Sequence, residues 1–301
     1  MLDLRRLTVF REVADRGSFS GAALALDYTQ SVVSHHVAQL ERELGVTLLE
    51  RGRRPVRLTP AGERLHAHAG TILGAARTAE ADLRAVAGLA AGTLRVGAFL
   101  TACSSFVPAA IRAFAASHPQ VDLRLEQLEP PASLPRVIDG ELDVAVVYVE
   151  PGHEHELDPR LHGRKLADDP YRAALPPDHR LARRRTIRLA DLRGERFSAP
   201  RAVAGGLRYR RMIEALCAED GFAPDFAYDV SDVTVARGFV AAGLTVAIVP
   251  EMTFPPPRHD VVVLSLGDAA PARTLHAMWM RNRATPGLQP MVDALAAAVA
   301  A

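Results

Sequence analysis

The chain has 301 residues, of which 49% are hydrophobic and 5% aromatic, and its formal net charge at neutral pH is +1. This length and composition predict a globular protein of two or three domains with aliphatic cores. The small net charge excludes a polycation that holds nucleic acid by bulk charge alone. No segment reaches the ~18 apolar residues of a membrane span, and the charged N-terminus lacks a signal-peptide core. We therefore expect a cytoplasmic protein without membrane contact.

Three short helices are predicted at the N-terminus. Residues 2–16 carry an apolar face at helical spacing. Ser18 suits the cap of a second, alanine-rich helix, and Thr29 suits the cap of a third. The third helix has one apolar stripe and one small or polar side; the stripe is Val33, Val37, Leu40 and Leu44, and the polar side is Ser31, Ser34, His35, Ala38, Gln39 and Arg42. This arrangement predicts a helix-turn-helix, although an ordinary amphipathic surface helix has the same stripe.

A basic segment follows the third helix. Gly52 and Pro55 favour a turn, and Val56 and Leu58 alternate with Arg57 as in a short strand. Four arginines lie within seven residues with no acid among them, which suits phosphate contacts. The segment is therefore predicted to be a wing, a hairpin beside the recognition helix. The full set of predicted DNA contacts is Ser18, Thr29, Gln30, Ser31, Ser34, His35, Gln39, Arg51, Arg53, Arg54 and Arg57.

A long helix is predicted over residues 60–89, with Thr59 as its cap and Pro60 in its first turn. Apolar residues recur along it in alternating steps of four and three, at Leu65, Ala69, Ile72, Ala76, Ala79, Leu83, Val86 and Ala90. Such a seam pairs two chains in a coiled coil, and pairing supplies two reading heads for a symmetric DNA site. The alternative is a helix that packs on its own domain.

Beyond a hinge at residues 87–92, strands alternate with helices, which predicts an α/β region with a parallel sheet covered by helices. The first part has strands at 93–98, 121–127 and 142–149 and a helix at 104–117. The pattern restarts near Arg164. The later strands are predicted at 165–175, 225–230, 245–249, 261–264 and 274–280, and the later helices at 205–219, 232–242 and 289–300.

Ligands of open parallel sheets lie beyond the carboxyl ends of the strands. We therefore predict a small-molecule site at those ends, with Leu100, Thr101, Ala102, Glu129, Tyr148, Ser198, Asp232 and Val246 as its residues. Thr101 heads a helix whose free N–H groups attract an anion, and it is equally suited to be a plain helix cap. Tyr148 either lines this cleft or packs between lobes.

The sequence gives little support for a metal site, a redox site or an enzyme active site. His153 and His155 alternate with acids, but they follow a Pro-Gly pair in what reads as a solvated loop, and zinc sites need further ligands nearby. The two cysteines, Cys103 and Cys217, lack metal-ligand spacing and are expected to be small buried side chains, with a redox role left open. No nucleophile elbow or glycine-rich phosphate loop is present. We predict no enzyme, no cofactor and no metal.

Many positions in the first 62 residues follow one family pattern without gaps. They are Leu4, Phe10, Val13, Gly17, Ser18, Phe19, Ala22, Ala23, Leu26, Thr29, Gln30, Ser31, Val33, Ser34, Leu40, Glu41, Leu44, Gly45, Leu48, Leu49, Glu50, Arg51, Leu58, Thr59, Pro60, Ala61 and Gly62. In these positions, and in length and layout, the chain resembles the LysR-type transcriptional regulators. The resemblance implies a winged helix-turn-helix domain at 1–59, a linker helix at 60–89 and a two-lobed effector domain at 93–301. That domain would have the type 2 periplasmic-binding-protein fold, with lobe I at 93–161 and 268–301 and lobe II at 165–265.

The resemblance also implies a mechanism. Such a chain binds an interrupted palindrome in double-stranded DNA as a dimer or tetramer, responds to a small-molecule effector between its lobes, and contacts RNA polymerase. Some residues are not the family's commonest ones: Arg or Lys is usual at His35, Gln is frequent at His36, and Phe is common at Leu49. Glu129-Pro130-Pro131 also departs from the family, which argues against a standard carboxylate site. The alternatives are a cytoplasmic small-molecule-binding protein of the solute-binding-protein fold without regulatory role, and an enzyme.

Overall fold

The computed structural model describes residues 2–50, 55–86, 92–200, 206–230, 233–254, 260–267, 270–281 and 285–300. Three helices form its N-terminal part: α1 (Leu4–Arg16), α2 (Phe19–Ala25) and α3 (Gln30–Leu44). Ser18 and Thr29 cap α2 and α3, as their sequence contexts predict, because each hydroxyl accepts a hydrogen bond from a free N–H of the first turn. Gly45, with a φ of 68°, ends α3 in the left-handed conformation.

The three helices share one apolar core. Val33, Val37 and Leu40 of α3 are buried in it, together with Leu7 and Phe10 of α1. The predicted apolar stripe is correct at these positions. The prediction is wrong for Leu44, which is 38% exposed in the last turn of α3, next to Gly45.

Helix α4 (Pro60–Val86) begins as predicted, with Thr59 Oγ1 accepting a hydrogen bond of 3.1 Å from Gly62 N. The apolar residues in the first half of α4 are not free to pair with a second chain. Ala69 is fully buried in the core of the helix-turn-helix, and Leu65 and Ile72 pack against that core. The alternative of packing on the chain's own domain therefore holds for this half, because the three N-terminal helices are too small to bury their apolar faces without it. Leu83 in the second half is 69% exposed.

The region after residue 92 starts with three strands and three helices in alternation. The order is β1 (Thr93–Ala98), α5 (Leu100–Ser104), α6 (Val107–Ser117), β2 (Asp122–Gln127), α7 (Pro130–Ile138) and β3 (Val144–Val149). Strand β1 pairs in parallel with β2 and β3, as predicted. The helix predicted at 104–117 is α6, which begins at Val107 with Pro108 in its first turn, and the separate short helix α5 before it was not predicted.

Two long strands connect this part, lobe I, with a second group of elements, lobe II. Strands β4 (Leu161–Leu175) and β9 (Ala272–Met280) pair antiparallel with each other, and β9 also pairs antiparallel with β3. In lobe II, β4 pairs antiparallel with β7 (Ala247–Pro250) and β8 (Val262–Ser265). The prediction of a parallel sheet is therefore wrong for these four strands, because the chain passes between the lobes along β4 and returns along β9.

Lobe II also contains a small parallel pair and two helices. The pair is β5 (Arg196–Pro200) with β6 (Asp225–Val230), and the helices are α8 (Gly206–Glu219) and α9 (Val233–Ala241). The last helix, α10 (Leu288–Val299), returns to lobe I and packs in the same core as α6. Among the described helices, none is long and apolar enough to cross a membrane.

Candidate nucleic-acid interface and effector cleft

The polar side of α3 is largely exposed, and the polar side chains of Gln30 and Ser34 line a groove. Gln30, Ser31, Ser34 and His35 are exposed, and Gln39 is half-buried. The groove has a volume of about 860 Å³ and is bounded by α2, α3 and the chain on either side of the wing. A helix that exposes small polar side chains along a groove of this kind can enter the major groove of DNA.

Ser18 and Thr29 stabilise the helices that they cap. Ser18 Oγ accepts a hydrogen bond from Gly21 N at 3.2 Å, and Thr29 Oγ1 lies 2.9 Å from Ser31 Oγ while capping α3. Ser20 Oγ lies 3.4 Å from Gln30 Oε1, which links α2 to the first turn of α3. Of these contacts, the one between Ser20 and Gln30 joins the two helices, and the others stabilise the helix starts.

Glu41 holds the chain that leads into the wing, a role that its sequence context did not suggest. Glu41 Oε1 accepts hydrogen bonds from Leu48 N at 2.7 Å and from Leu49 N at 3.2 Å. An acidic residue on the last turns of a helix otherwise reads as a solvated side chain. Here it satisfies two backbone donors and so ties the start of the wing to α3.

The base of the predicted wing is a narrow antiparallel contact. Leu49 forms a bridge with Leu58, and Glu50 N donates to Arg57 O at 2.9 Å. Val56 N donates to Gly17 O at 2.8 Å, which joins this base to the end of α1. Arg57 is exposed. The other three predicted phosphate contacts, Arg51, Arg53 and Arg54, lie outside the described residues.

His35 and His36 differ in their surroundings. His35 is exposed on the polar side of α3, whereas His36 is half-buried and stacks on Tyr28 with ring centroids 6.0 Å apart. Nδ1 of His36 is buried without a hydrogen-bond partner among the described residues. Of the two histidines, His35 is therefore the one available to a base edge.

The predicted effector residues of lobe I are connected by a buried ion pair. Arg273 Nε donates to Asp169 Oδ2 at 3.0 Å, and Arg273 Nη2 donates to Thr101 Oγ1 at 2.9 Å. The guanidinium also lies over the rings of Phe99 and Tyr148, at 5.0 and 4.6 Å. Thr101 is 6% exposed, so its hydroxyl serves this internal network. Neither Arg273 nor Asp169 was among the predicted site residues.

The carboxylate of Glu129 contacts the start of α5. Its Oε1 accepts a hydrogen bond from Leu100 N at 3.3 Å, and its Oε2 accepts one from the Tyr148 hydroxyl at 3.1 Å. Burial, together with the negative charge of Glu129, raises the pKa of Tyr148, so the hydroxyl remains a donor. The backbone N–H at this helix start is therefore already paired with a carboxylate of the chain itself.

The remaining predicted effector residues are dispersed. Ala102 is fully buried, and Ser198 and Val246 are buried in lobe II, where Thr245 Oγ1 donates to Ser198 Oγ at 3.0 Å. Asp232 lies outside the described residues. The structure thus brings Leu100, Thr101, Glu129 and Tyr148 together in lobe I, and it keeps Ser198 and Val246 in the interior of the other lobe.

The histidines and cysteines form no metal-binding group in the described part of the chain. His153 Nδ1 lies 2.8 Å from Glu156 Oε1, and no group of three metal-ligand side chains occurs among the described residues. Both cysteines are free thiols. Burial raises the pKa of the Cys217 thiol to about 11 and also raises that of Cys103, which makes both of them weak nucleophiles.

Two family models match the chain and together span nearly all of it. Residues 4–63 match the bacterial regulatory helix-turn-helix protein, lysR family, and residues 87–300 match the LysR substrate binding domain. The helix-turn-helix match spans α1 to α3, and the second match spans both lobes.

Similar proteins are transcriptional regulators. The dual regulator GltC of Bacillus subtilis is 32% identical over 253 residues, which are 84% of this chain and 82% of GltC. The regulator ShiR of Corynebacterium glutamicum is 34% identical over 250 residues, 82% of each chain.

Solved structures have the same fold. Full-length CbnR complexed with its target DNA is 25% identical with a TM-score of 0.66, and the match covers 99% of this chain and all of that one. A full-length OxyR variant from Pseudomonas aeruginosa is 24% identical with a TM-score of 0.71, and the match covers 98% of this chain and 95% of that one. From these matches, together with the described helix-turn-helix and two-lobed α/β fold, the chain belongs to the LysR family of bacterial helix-turn-helix transcriptional regulators.

Proposed function

We propose that this regulator binds an interrupted palindrome in double-stranded DNA as a dimer or tetramer and changes transcription when a small molecule binds between its lobes. The observation that carries the proposal is the position of α3. Its apolar side is buried in the helix-turn-helix core and its polar side is exposed, with Gln30 and Ser34 lining the groove beside the base of the predicted wing. In this proposal the protein acts in the cytoplasm and contacts RNA polymerase.

The proposed DNA contacts divide into two groups. Gln30, Ser31, Ser34, His35 and Gln39 belong to α3 and would reach base edges in the major groove, which carry the sequence information. Arg51, Arg53, Arg54 and Arg57 of the predicted wing would contact phosphates or, for the first three, the minor groove. Phosphate contacts position the protein without reading sequence. Ser18 and Thr29 would approach the backbone at the starts of α2 and α3, where both already act as caps.

Pairing of two chains is proposed to use the second half of α4. Leu83 exposes 69% of its surface there, whereas the first half of the helix is committed to its own domain. An exposed leucine on a long helix suits a partner helix. Two reading heads on paired helices would bind two half-sites related by the symmetry of the dimer.

The effector is proposed to bind near the strands that join the lobes, close to Leu100, Thr101, Ala102, Glu129, Tyr148, Ser198, Asp232 and Val246. Strands β4 and β9 connect the lobes, and the Arg273–Asp169 pair lies where these strands face each other. A ligand that binds one arrangement of the lobes more tightly than another shifts the population toward that arrangement, and the spacing of the two reading heads would follow.

Gel-shift binding to the DNA upstream of the protein's own gene tests the proposal, with scrambled DNA and a salt series as controls. We expect Arg57→Ala to weaken binding to every sequence and to lower the salt slope by about 1. Ser34→Ala and His35→Ala should instead change the preference among half-site variants, because they would remove base contacts. The matched control is Arg112→Ala, an exposed arginine of α6.

Two outcomes would contradict the proposal. Equal losses on every sequence for Arg57→Ala, Ser34→Ala and His35→Ala would refute the division into base and phosphate contacts. Absence of any preference for an operator sequence, with small-molecule binding intact, would favour a binding protein without regulatory role.

A further inference from the structure

A cavity lies beside the start of α7 and the carboxyl end of β3. Its volume is about 260 Å³, just below the roughly 300–1,000 Å³ of typical small-molecule sites, so it suits a single-ring ligand. The lining residues are Pro130, Pro131, Leu134, Tyr148, Val149, Glu150, His153, Glu156 and Leu157.

The wall of this cavity combines rigid apolar surface with acidic groups. Pro130 and Pro131 lie in the first turn of α7, where the proline ring fixes the backbone, and Leu134 follows one turn later. The ionisable lining side chains are Tyr148, Glu150, His153 and Glu156, and two of these four are carboxylic acids. None of the described lining residues is lysine or arginine.

Glu150 is the acidic lining residue whose surroundings indicate the charge of the ligand. It is half-buried, and its Oε2 accepts a hydrogen bond of 2.6 Å from the Tyr171 hydroxyl. Burial raises the pKa of Glu150 more than the hydrogen bond from Tyr171 and the positive charges of Arg273 and His153 lower it, so a further cation beside this carboxylate would favour its ionised form. The buried cation Arg273 is already bonded to Asp169 and Thr101. A cationic ligand would supply this further positive charge.

The surroundings of this cavity are unfavourable for an anionic ligand. Two donors at this end of the lobe, Leu100 N and the Tyr148 hydroxyl, both bind the carboxylate of Glu129. A ligand carboxylate would have to displace Glu129 and would lie near Glu150 and Glu156, where like charges repel. These two donors are therefore already occupied by a carboxylate of the chain itself.

We propose that this cavity binds a small single-ring amine in its ammonium form, with the ammonium on Glu150 and the ring against Pro130, Pro131 and Leu134. Binding to the cavity follows from its geometry and charge alone. That such an amine acts as the effector rests on the proposed function, because Glu150 contacts Tyr171 of β4, one of the two strands that join the lobes.

Three probes of nearly equal shape test the ligand class: benzylamine, benzyl alcohol and benzoate, each titrated calorimetrically into the full-length protein at neutral pH. We expect benzylamine to bind, with benzyl alcohol and benzoate at least about tenfold weaker, the factor that corresponds to one charge-assisted hydrogen bond. Benzoate that binds as tightly as benzylamine, or benzylamine that does not bind, would overturn the proposal.

Variants of the acid locate the site. Glu150→Gln keeps the shape and can still accept from the Tyr171 hydroxyl, so it should remove the preference for benzylamine over benzyl alcohol while leaving benzyl alcohol affinity unchanged. Glu219→Gln, an exposed acid of α8 outside the cavity lining, is the matched control and should behave as the wild type. Benzylamine affinity that is unchanged in Glu150→Gln would refute the role of this carboxylate.

Gel shifts with the same probes separate this inference from the proposed function. Benzylamine that binds the protein but leaves operator binding unchanged would keep the cavity assignment and refute its effector role. Operator binding that persists while benzylamine fails to bind would refute the cavity assignment and leave the regulator intact.

Discussion

At the residue scale, the chemistry of the lobes depends on partners that are far apart in the chain. Thr101 is predicted from sequence as a helix start that either binds a ligand or caps the helix. In the structure its hydroxyl accepts a hydrogen bond from Arg273, 172 residues away. Arg273 is 5% exposed and pairs with Asp169, which is 3% exposed. Nothing in the spacing of these residues indicates the pairing, because it exists only once β9 lies beside β4.

Removing one partner of this pair should be costly. We expect Arg273→Met to lower the free energy of unfolding by about 3–5 kcal/mol, because Asp169 would be left buried and charged. The double variant Arg273→Met with Asp169→Asn should recover most of the loss, since the introduced amide carries no charge and its oxygen would still accept from Met252 N. Urea unfolding of the full chain measures both.

The exposed pair Arg124–Asp122 provides the control for this experiment, because both side chains are more than half exposed. Arg124→Met should cost only about 0–1 kcal/mol. Similar losses for Arg273→Met and Arg124→Met, or no recovery in the double variant, would contradict the role of the buried pair.

At the element scale, local signals predict where helices begin and end. Ser18, Thr29 and Thr59 cap α2, α3 and α4 because each hydroxyl satisfies an N–H within three residues. The wing is different. Its base depends on Glu41, which bonds to backbone seven and eight residues further along the chain, and this contact was not predicted.

Loss of the Glu41 carboxylate should misplace the wing. In Glu41→Ala the N–H groups of Leu48 and Leu49 lose their acceptor, and we expect a loss of about 1–3 kcal/mol in stability together with weaker binding to all DNA sequences. Glu41→Gln keeps an acceptor oxygen and should retain most of both properties. Thermal unfolding and gel shifts check the two effects.

Glu43→Ala is the matched control for Glu41, because Glu43 lies on the same helix and forms a surface ion pair with Arg6. We expect it to bind DNA as the wild type does. Wild-type DNA binding by Glu41→Ala would show that the wing does not depend on this carboxylate.

At the scale of the whole molecule, α1 and α4 are docked on lobe I of the same chain. Arg11 of α1 forms ion pairs with Asp139 and Glu141, which follow α7. Gly70 and Gly74 of α4 pack so closely on Asp139 that a methyl group at either glycine would overlap with it. The DNA-binding part and the effector part are thus in direct contact as well as joined through the chain.

His66 gives this junction a pH dependence. Its Nε2 lies 2.6 Å from Asp15 Oδ1. The hydrogen bond and the charge of Asp15, together with the charge of Asp139, raise the pKa of His66 more than burial and the charge of Arg11 lower it. The pKa of Asp15 is lowered, since the hydrogen bond from His66 and the nearby positive charges together outweigh the opposite effect of burial. Stability from His66 is therefore complete below its ordinary value of 6.5 and is lost as pH rises through its raised value.

We expect the unfolding temperature of the wild type to fall relative to His66→Gln as pH rises from about 6 to about 9. The contribution of Asp15 is lost only in strong acid, well outside this range. His68→Gln, an exposed histidine on the same helix, is the control and should run parallel to the wild type. Parallel curves for the wild type and His66→Gln would contradict the contribution of the His66–Asp15 contact.

The sequence by itself determined the helix-turn-helix, the caps at Ser18 and Thr29, the long helix from Pro60 and the alternating α/β region, since these depend on contacts between residues a few positions apart. The tertiary structure decided the antiparallel course of β4 and β9, the burial of Thr101 and Ser198, and the packing of Ala69 on its own domain. It also brought Glu129 to Leu100 N and Arg273 to Asp169. These features depend on which distant surfaces meet, and hydrophobic periodicity indicates that a face is buried without indicating what covers it.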